Sequence, residues 1–280
     1  MRVVTYNVHG WRTAAGEPNG ERVAQVLAEI RPDLVALNEV FHPTWPEASG
    51  TGRAPLLEWL ARELGLHMAF GPCLRWPATQ QLPARSYGNA LLSRWPVLAS
   101  AAHHLTPIPG KEQRGLLEVW VSLPSGTPFT VYVTHLDHTA EEARLQQFRA
   151  LRSWTSRDRR RPHLLLGDFN ALSPWDFAQD PGALDHLLSE LPWASRLFAQ
   201  DGTLQLVPAV EKAGYVDAMR RAGCPPQSTL VATALPTRID YVWTSAPLAD
   251  AVVSAQVWPE PPGQEASDHR PVVVDLDFDG

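Results

Sequence analysis

The chain has 280 residues, 44% of them apolar, a formal charge of −6 and two cysteines. The length allows a sizeable core, the acidic balance argues against a protein that coats nucleic acid through a basic surface, and Cys73 and Cys224 lie too far apart to form a metal-spacing pair. No window has the apolar length of a membrane span, and "MRVVTYNV" alternates like a strand instead of reading as an export signal, so a monomeric cytoplasmic protein is the expectation.

In chain order, "RVVTYNV" reads as a strand, "ERVAQVLAEI" as a helix stopped by Pro32, "DLVALNEV" as a second strand and "APLLEWLAREL" as a second helix ending at Gly65. From Leu66 to His135 come "LHMAF", "GNALLS", "VLASAAHHL", "GLLEVWVSL" and "FTVYVTHL", strands whose short Pro/Gly connections leave no room for helical crossovers. They are expected to be antiparallel neighbours. "HTAEEARLQQFRALRSW" is the clearest helix, with Thr139 and Glu142 at capping-box spacing.

"HLLLGDFNAL" then runs into a carboxylate and an amide. Its apolar part is short enough for a buried strand left at Gly167, and Asp168 and Asn170, two apart, point the same way if the backbone stays extended. Taken alone, the stretch is equally a turn. A helical, loop-rich region follows to about Ala222, and two last strands near "RIDYVWTS" and "RPVVVDLDF" close the chain. With no linker, low-complexity tract or repeat, one domain over residues 1–280 is the economical reading.

The unusual polar residues cluster at strand margins. Asn7 ends the first strand and Glu39 the second; His135 and Asp137 follow "FTVYVT"; Asp168 and Asn170 follow "HLLL"; Asp240 interrupts "RIDYVW"; Asp268 and His269 precede "RPVVV". An unpaired charge at such a place is costly. If the strand ends converge, Glu39, Asp168, Asp240 and Asp268 form a negative cluster that needs a counter-cation. Oxygen ligands suit Mg²⁺ or Mn²⁺. Zinc fits less well, because "HLDH" (His135, Asp137, His138) has no cysteine or HExxH partner.

The segments "TYNVHG", "LNEV", "YGNALLSRWPV", "QRGLLEV", "VTHLDH", "LLLGDFNA", "RIDYVWTS" and "SDHRPV" resemble, in order and across residues 5–272, the endonuclease/exonuclease/phosphatase superfamily of metal-dependent hydrolases. The resemblance implies an α/β (α+β) fold, a four-layer sandwich of two mixed sheets between outer helices, with the site at one edge. It also implies roles. Glu39 is the principal Mg²⁺ or Mn²⁺ ligand, with Asn7 beside it and Asp268 as a second carboxylate near the metal. Asp168 aligns or deprotonates water, and Asn170 donates to the phosphoryl oxygen. His269, oriented by Asp240, faces the scissile phosphate. His135 contacts the phosphate from the other side and protonates the leaving group. Asn89 and Arg114 fall in matching positions, while Asn38, where many members have glutamine, and Asp137, placed with the substrate contacts, depart from the commonest pattern.

The expected activity is hydrolysis of a phosphate ester through a metal-assisted, Asp-activated water. The substrate is a nucleic acid, cut endo- or exonucleolytically, or a lipid or small phosphoester. A silent binding module would have lost Glu39 or the Asp/His groups, and all are present. Elsewhere plainer readings hold. Arg157, Arg159, Arg160 and Arg161 complement a helix C-terminus, and Arg144 pairs with Glu141. Trp11, Trp45, Trp76 and Trp175 either anchor loops or stack on a substrate.

Overall fold

The computed structural model describes residues 1–44, 54–80, 83–180, 182–261 and 263–278. The elements run β1 (Arg2–Asn7), α1 (Gly20–Ile30), β2 (Leu34–His42), α2 (Leu56–Glu63), β3 (His67–Trp76), β4 (Arg85–Ser93), β5 (Val97–His104), β6 (Gly115–Ser122) and β7 (Pro128–His135). They continue with α3 (Glu141–Thr155), β8 (His163–Asp168), α4 (Gly182–Glu190), α5 (Leu206–Lys212), β9 (Tyr215–Asp217), α6 (Ala218–Arg221), β10 (Asp240–Ser245), β11 (Val252–Val257) and β12 (Val272–Leu276).

Two six-stranded mixed sheets result, ordered β11-β12-β1-β2-β4-β3 and β5-β6-β7-β8-β10-β9. Side-chain alternation sorts each strand between two cores. Val3, Leu34 and Ala36 pack inward against Val131, Val133, Leu164 and Leu166 of the other sheet. Val4, Val35 and Leu37 point outward to Val23 and Leu27 of α1 and Leu57 and Leu60 of α2. On the far side Tyr132, Leu165 and Trp243 meet Phe148 and Leu151 of α3 and Val207 and Val210 of α5. The expected four layers are therefore present.

Four local expectations change. β4 and β5 are consecutive but lie in different sheets, because β4 already has β2 and β3 on its two edges. Two strands escape the sequence pattern: β9 has only three residues, and β11 is an exposed edge strand with irregular register, so no apolar alternation marks it. The capping box at Thr139 and Glu142 does not form. Instead Asp137 Oδ1 accepts from Thr139 N at 2.8 Å, Thr139 Oγ1 at 2.6 Å and Ala140 N at 2.9 Å. Glu142 turns away to accept from Gln200 N at 3.0 Å.

Arg144 pairs with Glu141 as expected, in a fully buried position. Arg157 bonds Glu118 and covers the Trp154 ring, a structural use. Trp11 is a buried anchor donating to Phe41 O at 2.9 Å, whereas Trp76 and Trp175 are exposed. Trp45 lies outside the described residues. No helix among the described residues is long and apolar enough to cross a membrane.

Candidate active site

Strand ends from both sheets deliver polar groups to one edge of the sandwich. The β2–β4 register slips between Leu37 and Val40, and inside that irregularity Glu39 adopts φ 58°. Such a bulge re-aims a side chain that strict alternation would have fixed. Gly167 does the corresponding work on β8. Its φ is +136°, and a Cβ there would stand 1.9 Å from Thr134 O, so only glycine lets β8 lie against β7 and turn into Asp168.

Asp168 is held from three directions. Its N donates to Asn38 Oδ1 at 2.9 Å, its Oδ1 accepts from Asn170 N at 2.8 Å, and its Oδ2 accepts from Asn7 Nδ2 at 3.1 Å. Asn7 Nδ2 also donates to Glu39 Oε1 at 3.1 Å, so one amide ties the two carboxylates together. Two imidazoles flank the same oxygen, His135 Nε2 at 3.5 Å and His269 Nε2 at 3.9 Å. Asp240, the cross-strand partner of Asp168, places Oδ2 at 2.8 Å from His269 Nδ1.

Asn170, at φ 50°, donates Nδ2 to Leu136 O at 3.1 Å and lies 3.0 Å from His135 Nε2. Behind His135, the buried Arg114 guanidinium reaches His135 Nδ1 and His138 Nδ1, each at 3.1 Å. Arginine only donates, so both of these ring nitrogens accept.

Burial and charge set the protonation states. Burial and the nearby charge of Asp240 push the Asp168 carboxyl up to about 7, against the opposing pull of His269. Burial works against a charged His269, but the Asp240 carboxylate and its hydrogen bond prevail and raise it to about 10. His135 goes the other way: burial first, then the positive charges of Arg114 and His269, hold it well below the usual imidazole range. One imidazole is thus an N–H donor carrying charge, and the other is neutral.

Asn7, Glu39, His135, Asp168, Asn170, Asp240 and His269 therefore form one connected network, with Arg114 attached behind His135. Asp268 sits at its rim, 3.7 Å from His9 Nδ1 and 3.3 Å from Ser267 Oγ, whose hydroxyl donates to the Asn7 carbonyl at 2.8 Å. Asn89 and Asp137 are buried behind the network. The Asn89 amide bonds Asn38, Gly115 O and Val133 O, and Asp137 organises the turn before α3. Sequence reasoning passed over His9 and Tyr87, although both lie within quoted motifs; Tyr87 OH accepts from Arg114 Nη1 at 3.4 Å.

A profile of the Endonuclease/Exonuclease/phosphatase family matches residues 4–269. Among solved structures, the chain is similar to an endonuclease/exonuclease/phosphatase from Beutenbergia cavernae DSM 12333, with 26% identity and a TM-score of 0.70 over 100% of this chain and 72% of that one. An AP endonuclease from Archaeoglobus fulgidus shares the fold at 20% identity and a TM-score of 0.69, covering 99% of this chain and 100% of that one. So does a mannosyl-6-phosphatase from Bacteroides thetaiotaomicron VPI-5482, at 17% identity and a TM-score of 0.67, over 99% and 100% of the two chains. No curated protein sequence matches significantly.

Proposed function

The chain belongs to the Endonuclease/Exonuclease/phosphatase family and is a hydrolase of phosphoester bonds, and from that premise we propose that it is a divalent-metal-dependent phosphodiesterase with nuclease activity. One observation carries the reading: at Asp168 Oδ2 an amide donor and two imidazoles meet, with the Glu39 carboxylate one amide away.

The donor set suits a hard cation. Ligand atoms of Asp168, Asp240 and His269 lie within 4.8 Å of one another, but His269 is held protonated by Asp240 and has an N–H to offer instead of a lone pair. Glu39 and Asp268 are the better oxygen ligands for Mg²⁺ or Mn²⁺. Asn7 steadies Glu39 by donating to it. A bound ion would offset negative charge on the phosphoryl oxygens.

The protein's own groups account for the rest. Asp168 positions and deprotonates the attacking water. His269, charged and oriented by Asp240, donates to the phosphoryl group as charge builds, and Asn170 supplies a second donor. His135 is neutral, with Arg114 at its Nδ1 and the Asn170 amide nitrogen 3.0 Å from its Nε2, so it lines the site as an uncharged group beside Asp168. That differs from the leaving-group acid implied by the family resemblance: a neutral imidazole of low basicity has no proton to spare.

The rim favours an extended anionic substrate. The exposed Arg85 guanidinium lies 5.1 Å from the Phe41 ring and 5.2 Å from the exposed Trp76 ring. Phe41 in turn contacts Tyr87, which accepts from Arg114. A stacking surface with a cation beside a phosphate site suits a nucleic-acid strand better than an acyl chain.

The test is hydrolysis of bis-nitrophenyl phosphate, single-stranded DNA, RNA, abasic DNA, phosphoinositide and mannose 6-phosphate with Mg²⁺, Mn²⁺ or EDTA. Metal-dependent cleavage of the diester and of a nucleic acid is expected. Cleavage of monoesters alone, or activity untouched by EDTA, rejects the proposal.

A further inference from the structure

We propose that Asn38 and Asn89 form an amide relay that positions Asp168 from the opposite sheet; this rests on the reading of Asp168 as the group that activates water. Asn38 (β2) and Asn89 (β4) belong to the first sheet, and apart from each other their side chains bond only atoms of the second. Both are buried between the sheets beside a largely apolar core.

The polarity of the relay is fixed from one end to the other. Asn89 Nδ2 faces two carbonyls, Gly115 O at 3.2 Å and Val133 O at 3.4 Å, so this end of the amide must be the donor. Its Oδ1 therefore faces Asn38 and accepts from Asn38 Nδ2 at 2.8 Å. The same Asn38 nitrogen donates to Thr134 O at 3.0 Å. Only Asn38 Oδ1 remains, and it accepts from Asp168 N at 2.9 Å. Reversing either amide would set carbonyl against carbonyl in a buried site, at the full cost of unsatisfied polar groups.

The relay ends on a peptide at the last β7–β8 pairing, where Asp168 lies opposite His135. The Asp168 carbonyl accepts from Leu136 N at 2.9 Å, and its N–H is met from the first sheet by Asn38 Oδ1. This peptide directly follows Gly167, whose φ of +136° turns the chain out of ordinary strand geometry. Without Asn38 the N–H of Asp168 loses its side-chain acceptor from the first sheet, and the carboxylate shifts with its backbone. An inter-sheet tie serving stability alone would have no reason to terminate on this residue.

The experiment measures kcat and KM on bis-nitrophenyl phosphate, together with Tm, for N38A, N38S, N89A, the N38A/N89A double variant and D168A. Tyr132→Phe is the comparison: it removes a buried bond to Asp158 on the opposite face of β7, away from the site. N38A is expected to lower kcat about 10- to 100-fold, as displacement of a reacting group does, with KM within about twofold. N89A should lower kcat less, and the double variant should match N38A alone, because the far amide acts only through the near one. Y132F should lower Tm with kcat unchanged. If N38A does not fold, N38S and N89A carry the same comparison. The relay is overturned if Asn38 variants keep wild-type kcat while D168A is inactive, or if the two single effects multiply. An active D168A overturns instead the reading on which the relay rests.

Discussion

Asp240 Oδ2 and His269 Nδ1 are joined at 2.8 Å across 29 residues of sequence, and the bond decides the charge of the imidazole beside Asp168. Asp240 begins β10, next to Asp168 in the ladder, while His269 sits in an isolated bridge with Leu230 before β12. The pair thus joins the start of a second-sheet strand to the segment that leads into β12 of the first. The carboxylate fixes Nδ1 as the protonated nitrogen and leaves Nε2–H directed at the oxygen of Asp168, 3.9 Å away.

Asp240→Asn tests that pair with almost no change of volume. The amide cannot stabilise a charged imidazole and offers a donor to Nδ1 as readily as an acceptor. A fall in kcat of about 10²- to 10⁴-fold is expected, with the melting temperature close to wild type. Full activity in D240N would show that the charge of His269 does not enter the rate.

Arg144 is a structural counterpart of the site cations, and its removal should affect stability. Its guanidinium bonds Glu141, the Asp137 carbonyl and the Arg196 carbonyl, all at 2.9 Å. Glu141 also caps α5, accepting from Gln205 N and Leu206 N at 2.8 Å. Arg144→Met leaves that carboxylate buried and uncompensated, which costs about 3–5 kcal/mol. Urea denaturation measures it, and a loss below about 1 kcal/mol would place Arg144 with weakly coupled surface ion pairs.

Gly167→Ala should damage the fold and the site together. The backbone conformation alone costs about 1–3 kcal/mol for a residue with a side chain, and the added carbon meets Thr134 O at 1.9 Å, so β7 and β8 must separate. Activity is expected to fall further than the shift in Tm accounts for, because Asp168 is the next residue. A variant as stable and active as wild type would contradict the close approach.

Much of this architecture was legible in the sequence because apolar alternation and helix spacing report burial directly. The strands carrying Asn7, Glu39, Asp168 and Asp240 are strongly apolar, so their polar residues stood out, although β2 runs on past Glu39 to His42. The three-residue β9 and the exposed β11 left no such trace. At the site, residue types announced themselves but their partners did not. Asn89 and Asp137 look like substrate contacts in a linear motif, and only the fold reveals that the Asn89 amide bonds between the sheets and that Asp137 Oδ1 organises the turn before α3. Asn38 stood out merely as an unusual neighbour of Glu39, because the atom it holds lies 130 residues away.

His163 makes stability depend on pH in a way that one variant isolates. Its Nδ1 faces the Arg161 carbonyl at 2.9 Å and must carry the proton, so Nε2 accepts from Tyr215 OH at 3.1 Å. A second proton would break the latter bond. Burial, which outweighs the help of the Arg161 carbonyl, lowers the pKa below the usual 6.5. Above 6.5 neither folded nor unfolded chain carries this charge, and the contribution of the neutral ring is complete. As pH falls through 6.5, the unfolded chain takes up a proton that the native ring refuses, so stability declines. His163→Asn should be less stable than wild type at neutral pH but should lack that decline. The difference between the two proteins in urea denaturation is therefore expected to narrow from pH 7.5 to pH 5.5, and a gap that stays constant would show that His163 protonates equally in both states.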